Sequence, residues 1–214
     1  MQNKFPYRLY LVISEDSCRG RSLIDVAEQA IEGGVDIIQL REKGVDSVKF
    51  LAKALRLQDM LSKYRVPLII NDNLDVAMQS SAFGIHVGNS DISPQQIRSI
   101  WEGCRSLGYS IESLEQLEND NTKASDCLGI SPVFQTATKK NTITEWGLQG
   151  IEKIRTLTDK PLIAIGNMNE ENVFDVIKAG ADCIAVVSAI CRADNPAKAA
   201  CKIRNQIEKA LLTE

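Results

Sequence analysis

The sequence predicts one α/β domain over residues 1–214, a closed (β/α)8 TIM barrel, on three observations. Short apolar, β-branched runs alternate with amphipathic helical stretches eight times in 214 residues, an average period of roughly 25 residues. The runs are apolar at successive positions, as strands buried on both faces are, which makes the sheet parallel. No GxGxxG follows the first run, which counts against an open dinucleotide-binding sheet. Two internal echoes, AIEGGVDIIQL and VIKAGADCIAV, repeat the order helix end, glycine, acid, strand.

Each element follows from local pattern. Residues 7–14 read as the first strand. A helix over 21–31 carries Leu23, Ile24, Ala27, Ala30 and Ile31 at helical spacing, and Gly33-Gly34 stops it. The second strand is 35–40. A longer helix over 47–64 has Phe50, Leu51, Ala54, Leu57 and Leu61 on one side. The third strand, 66–70, leads to a short helix over 73–79, with Asp72 or Asn73 as its cap. The fourth strand is 83–87, and Ser93-Pro94 opens the next helix with a cap and then a proline. The fifth strand, 104–109, is short and polar. Residues 113–117 carry a helix signal, and 126–130 form the sixth strand. A Thr- and Lys-rich loop over 131–146 precedes a helix at 150–157. The seventh strand is 161–165, with a helix over 170–179 stopped by Gly180. The eighth strand, 182–187, and a closing helix, 196–212, complete the chain.

Composition narrows the function. Formal net charge is −3 and the isoelectric point is near 5.4. No basic block is present, which excludes a general nucleic-acid binder. A local cationic pocket in an acidic chain points to a small anionic ligand. The six cysteines form no CxxC pair; Cys127 and Cys183 lie in apolar runs and read as buried thiols, a pattern suited to a reducing compartment. The first residues lack the apolar core of a signal peptide, and no run is long enough to span a membrane. The expectation is a cytoplasmic protein with no membrane or nucleic-acid partner; homo-oligomer formation is possible.

Barrel active sites lie at the C-terminal ends of the strands, and that rule gathers the polar residues. In VDIIQLREK the side chains of Gln39, Arg41 and Lys43 share one face by strand alternation, and Leu40 and Glu42 take the other. An amide and two cations at one spot suit a phosphate or diphosphate. Strand three delivers Asn71 and Asp72, strand four is followed by Asp91, and strand five by Ser110. Two carboxylates beside cations suggest Mg²⁺ shared with a polyphosphate; no His/Cys cluster suits zinc. Thr136, Thr138 and Lys139 in the loop after strand six can donate to phosphate oxygens. Gly166 after strand seven, with Val187 and Ser188 after strand eight, marks a second anion site. His86 shares its face with Gly84 and Gly88 and points inward, as a satisfied interior histidine or as a base. Two anion sites fit a substrate with a diphosphate leaving group and a phosphorylated acceptor, with cations stabilising the departing charge.

These stretches also carry a resemblance. IIQLREK at 37–43, IINDNLDVA at 69–77, GIHVGNSD at 84–91, SPVFQTATK at 131–139, PLIAIG at 161–166 and AGADCIAVVSAI at 179–190 together resemble the thiamine-phosphate synthase family over nearly the whole chain. The resemblance implies a β/α barrel transferase, small phosphorylated substrates and Mg²⁺. It implies that hydroxymethylpyrimidine diphosphate is joined to a thiazole phosphate by dissociative loss of diphosphate. Gln39, Leu40, Arg41, Glu42, Lys43, Asn71, Ser110 and Lys139 would meet the pyrimidine diphosphate, with Arg41, Lys43 and Lys139 serving catalysis. Asp72 and Asp91 would hold the metal. Thr136, Ala137, Thr138, Gly166, Val187 and Ser188 would hold the thiazole phosphate. The chain departs from the family pattern at three places: Ser131-Pro132 for Gly-Pro, Gly166-Asn167 for Gly-Gly, and Ile111-Glu112 for a Ser-x-His-type turn. Two other readings use the same residues differently: a thiazole tautomerase-like enzyme, which could dispense with the diphosphate and metal residues, and a non-catalytic phosphate-ligand barrel.

Overall fold

The computed structural model describes residues 5–135 and 145–213. Eight parallel strands close on themselves, β1 pairing with β8 through Leu9 and Ile184 and with β2 through Tyr10 and Ile37. The strands are β1 Leu9–Ile13, β2 Ile37–Leu40, β3 Leu68–Asn71, β4 Gly84–Val87, β5 Ser106–Ile111, β6 Cys127–Ile130, β7 Leu162–Ile165 and β8 Cys183–Val186. The helices are α1 Leu23–Glu32, α2 Ser47–Tyr64, α3 Leu74–Gln79, α4 Pro94–Ile100, α5 Asp120–Ala124, α6 Gly147–Arg155, α7 Val173–Lys178, α8 Ser188–Cys191 and α9 Pro196–Leu212. Short 3₁₀ turns occupy Asp16–Cys18 and Leu114–Glu118. The expected closed barrel is the observed fold.

Strand alternation sorts the core into two compartments. Tyr10, Val12, Ile37, Ile69, Cys127, Ile163, Cys183 and Ala185 fill the barrel interior. The outward residues, among them Leu9, Leu11, Leu40, Ile85, Leu107 and Ile184, pack against the helices. The helices start where local chemistry caps them: Ser22, Asp46, Asn73, Ser93 and Asn195 each accept a first-turn N–H, and Ser93 forms a full capping box with Gln96.

The echoed Gly–acid–strand pattern has a structural cause. Asp36, Asp126 and Asp182 stand just before β2, β6 and β8. Each accepts a backbone N–H from the start of the preceding strand: Leu9 at 3.1 Å, Leu107 at 2.8 Å and Leu162 at 2.8 Å. Each also pairs with a helix arginine, Arg204 at 2.6 Å, Arg98 at 2.5 Å and Arg155 at 2.9 Å. The device ties strand to strand and sheet to helix at the N-terminal end of the barrel, the end associated with stability rather than chemistry.

Several element bounds differ from expectation, α6 running Gly147–Arg155 where 150–157 was expected, and two departures have a local cause. β5 begins at Ser106, two residues beyond the expected start, because its inward positions are Ser106, Gly108 and Ser110 and only Leu107, Tyr109 and Ile111 carry the apolar signal. α5 was not legible in the polar run NDNTKA; the Asn119 side chain caps it at the Thr122 N–H. Among the described residues no helix is long and apolar enough to cross a membrane.

Candidate active site

At the C-terminal end of the barrel the strand ends enclose a cavity of about 620 Å³, within the usual range of small-ligand sites. Gln39, Arg41, Glu42 and Lys43 line it from β2 and its loop, Asn71 and Asp72 from β3, Asp91 from the loop after β4, and Ser110 from β5. Gly166, Val187 and Ser188 line the opposite side, after β7 and β8. Leu40 is fully buried on the outer face of the sheet, so its side chain does not reach the cavity and only its backbone is available to a ligand. Thr136, Ala137, Thr138 and Lys139 lie outside the described residues.

The floor is apolar with a few fixed polar groups. Val12, Ile163, Ile165, Ala185 and Val187 supply the apolar surface. Gln39 is buried and donates Nε2–H to the Tyr10 hydroxyl at 2.8 Å. That phenol is wholly enclosed, and burial holds its pKa well above the ordinary value, so it stays a neutral partner. Glu42 turns back to accept the Glu15 N–H at 2.8 Å and the Lys53 ammonium at 2.7 Å. It braces the β2 loop against α2 and the loop after β1.

The two aspartates are built differently. Asn73, not Asp72, caps α3, accepting the Val76 N–H at 2.9 Å, which leaves the Asp72 carboxylate to the cavity. Asp72 has φ 62°, a left-handed conformation that aspartate tolerates better than most residues. Its N–H bonds the His86 carbonyl at 2.9 Å. Its carboxylate meets the Lys43 ammonium and the Asn71 amide. Burial and the neighbouring Asp91 charge raise the Asp72 pKa above 3.8, against the opposite pull of Lys43. Asp91 folds back to accept the Gly88 N–H at 2.8 Å.

Just after β7, Gly166 and Asn167 both take positive φ, 119° and 54°. Asparagine is among the few residues that adopt this conformation readily, so the turn survives where the resemblance leads one to expect two glycines. A Cβ at residue 166 would stand 2.8 Å from the Pro132 Cβ and 2.9 Å from the Val133 nitrogen, which keeps that position glycine.

Sequence reasoning missed several lining residues: Tyr10 and Ser14 on β1 and its end, Asn89 after β4, Met168 after β7 and Arg192 at the end of α8. The alternation used for β2, applied to β1, would have found Tyr10, Val12 and Ser14. Arg192 stands four residues after Ser188, on the same helix face.

Fold and site thus define a β/α barrel whose mouth combines cations, paired carboxylates and an apolar floor, the class of barrel that handles small phosphorylated substrates. Comparison with known proteins narrows the class. A family model described as thiamine monophosphate synthase matches residues 9–190. A thiamine-phosphate synthase of Albidiferax ferrireducens is 43% identical over 201 residues, covering 94% of this chain and 92% of its own. One from Leptospira biflexa is 43% identical over 210 residues, covering 96% and 100%. The solved thiamine phosphate pyrophosphorylase of Pyrococcus furiosus superposes with a TM-score of 0.86 at 29% identity, covering 96% and 97%. The chain belongs to the thiamine monophosphate synthase family.

Proposed function

We propose that the protein is a cytoplasmic transferase that condenses hydroxymethylpyrimidine diphosphate with thiazole phosphate, giving thiamine phosphate and diphosphate. One observation carries the reading: Gln39, Arg41, Lys43, Asn71, Asp72, Asp91 and Ser110, from four successive strands and their loops, meet around one cavity with Gly166, Val187 and Ser188 across from them.

The donor set suits Mg²⁺. Among the described residues no group of three or more His, Cys, Asp or Glu side chains forms a complete cage. Two neighbouring carboxylates, the remaining positions being left to water and phosphate oxygens, are the usual Mg²⁺ arrangement. Asp72 and Asp91 would hold the ion, which when bound supplies Lewis-acid neutralisation of the diphosphate charge. Asp72 then no longer depends on Lys43, and that ammonium is free for a diphosphate oxygen. Arg41 presents a fork of N–H donors to the same group. Both cations stabilise the charge that grows as the C–O bond to diphosphate breaks, and Lys139 joins them. The pyrimidine rests on the apolar floor with Gln39, Asn71 and Ser110 as its polar contacts. Gly166, Val187 and Ser188, with Thr136 to Thr138, hold the thiazole phosphate so that the ring nitrogen faces the pyrimidine methylene carbon. The apolar walls keep water from capturing the pyrimidine methyl cation before the thiazole does.

The test is direct. Purified protein with Mg²⁺ and both precursors should yield thiamine phosphate and diphosphate in equal amounts, with neither formed when one precursor is omitted. No product at any Mg²⁺ concentration would overturn the reading.

A further inference from the structure

His86 is the chain's only histidine, and the reaction as drawn gives it no part. It lies on β4 with its ring inside the barrel. Nε2 stands 2.8 Å from the Ser110 hydroxyl on β5. The two neighbouring strands are hollowed around that ring. A Cβ at residue 108 would stand 2.3 Å from Nδ1, and one at residue 129 would stand 2.8 Å from Cε1. Neither distance leaves room for a Cβ while the imidazole stays in place, so Gly108 of β5 and Gly129 of β6 leave open the space that the ring occupies. The same residue's carbonyl accepts the Asp72 N–H at 2.9 Å and the Asn71 amide at 3.3 Å. One residue therefore braces the Asp72 turn through its backbone and the Ser110 hydroxyl through its ring.

We infer that His86 is a positioning residue for the pyrimidine end of the reaction, fixing the Ser110 hydroxyl from a slot that Gly108 and Gly129 leave open for its imidazole. A serine hydroxyl has one hydrogen and two lone pairs and rotates to suit its surroundings. The contact with Nε2 commits one of these and aims the rest at the cavity. A ligand then meets a hydroxyl already ordered, at less entropic cost than a free rotor would impose. Nε2 acts through the Ser110 hydroxyl, its partner at 2.8 Å. The inference rests on the reading above, in which Ser110 meets the pyrimidine diphosphate.

A double-mutant cycle tests it. His86→Leu fills the slot without the ring nitrogens, Ser110→Ala removes the hydroxyl, and His86→Gln can return an amide to the position of Nε2. His86→Leu should raise KM for the pyrimidine diphosphate on the order of tenfold, leaving KM for the thiazole phosphate within about twofold. Ser110→Ala should match it, the double variant should be no worse than either single one, and His86→Gln should recover most of the loss. Losses that multiply in the double variant, or equal rises in both KM values, would overturn the inference. If His86→Leu does not fold, His86→Asn, whose shorter amide stops at the Nδ1 position and does not reach the Ser110 hydroxyl, gives the same comparison with and without Ser110→Ala. Absence of wild-type turnover would remove the proposed function and the inference together; wild-type turnover with multiplying losses would remove the inference alone.

Discussion

The Asp72 carboxylate shows how a single residue trades stability for chemistry. It is enclosed, stands beside Asp91, and is neutralised in part by Lys43. A carboxyl whose folded pKa lies above its unfolded value contributes stability that is present below the unfolded value and lost as pH rises through the folded one. Asp72→Asn should therefore raise the melting temperature of the Mg²⁺-free protein at pH 7, with the gain shrinking as pH falls toward 4; a melting series over that range checks the sign. Arg41→Ala and Asp91→Ala should each lower turnover by roughly 10²–10³-fold, the usual cost of a lost charge-stabilising group. Thermal melts of both should stay close to the wild type, because neither side chain fills the core; a collapse in stability would mark them as structural. Burial closes off most of the thiols. Five of six are buried and only Cys201 is exposed. Burial pushes the Cys127 thiol up to about 12 and raises Cys183 as well. A chromogenic disulfide reagent should label one thiol rapidly in the folded protein and all six after denaturation.

At the scale of elements, the repeated Asp–Arg clamps explain why the chain echoes itself. Asp182→Ala leaves the Leu162 N–H and the Arg155 guanidinium without their shared acceptor. The expected cost is about 1–3 kcal/mol, read from a denaturant midpoint, with both KM values unchanged because the clamp is at the far end of the barrel. β5 carries the complementary lesson. Its inner face is small where a barrel interior is usually bulky, because His86 occupies that space. The missing apolar signal that displaced its expected start is therefore a by-product of the site. α2 and α9 matched their expected spans, since each is a long amphipathic run with a strong cap, whereas α7 was expected from 170 and starts at Val173.

Across the whole molecule, the barrel converts distant residues into neighbours. Arg41 and Ser188 are 147 positions apart in sequence and line one cavity. If that cavity holds a metal-bound diphosphate, Mg²⁺ and diphosphate together should stabilise the protein more than either alone. At a 100-fold excess over Kd the gain is about 2.7 kcal/mol, or roughly 5–10 °C for a domain of this size. A thermal-shift titration with each component singly and then jointly checks it, and Asp91→Ala should abolish the joint effect.

The strand and helix order and the face shared by Gln39, Arg41 and Lys43 follow from the sequence by itself, because backbone periodicity and side-chain alternation are local properties. So does the family, through motifs spread along the chain. Other facts are long-range. That Asn73 rather than Asp72 caps α3, that Glu42 turns away to Lys53, and that an imidazole on β4 requires glycines on β5 and β6 all depend on which strands become neighbours. Only closure of the sheet decides that, since hydrogen bonds between parallel strands set the register that brings one side chain against the next.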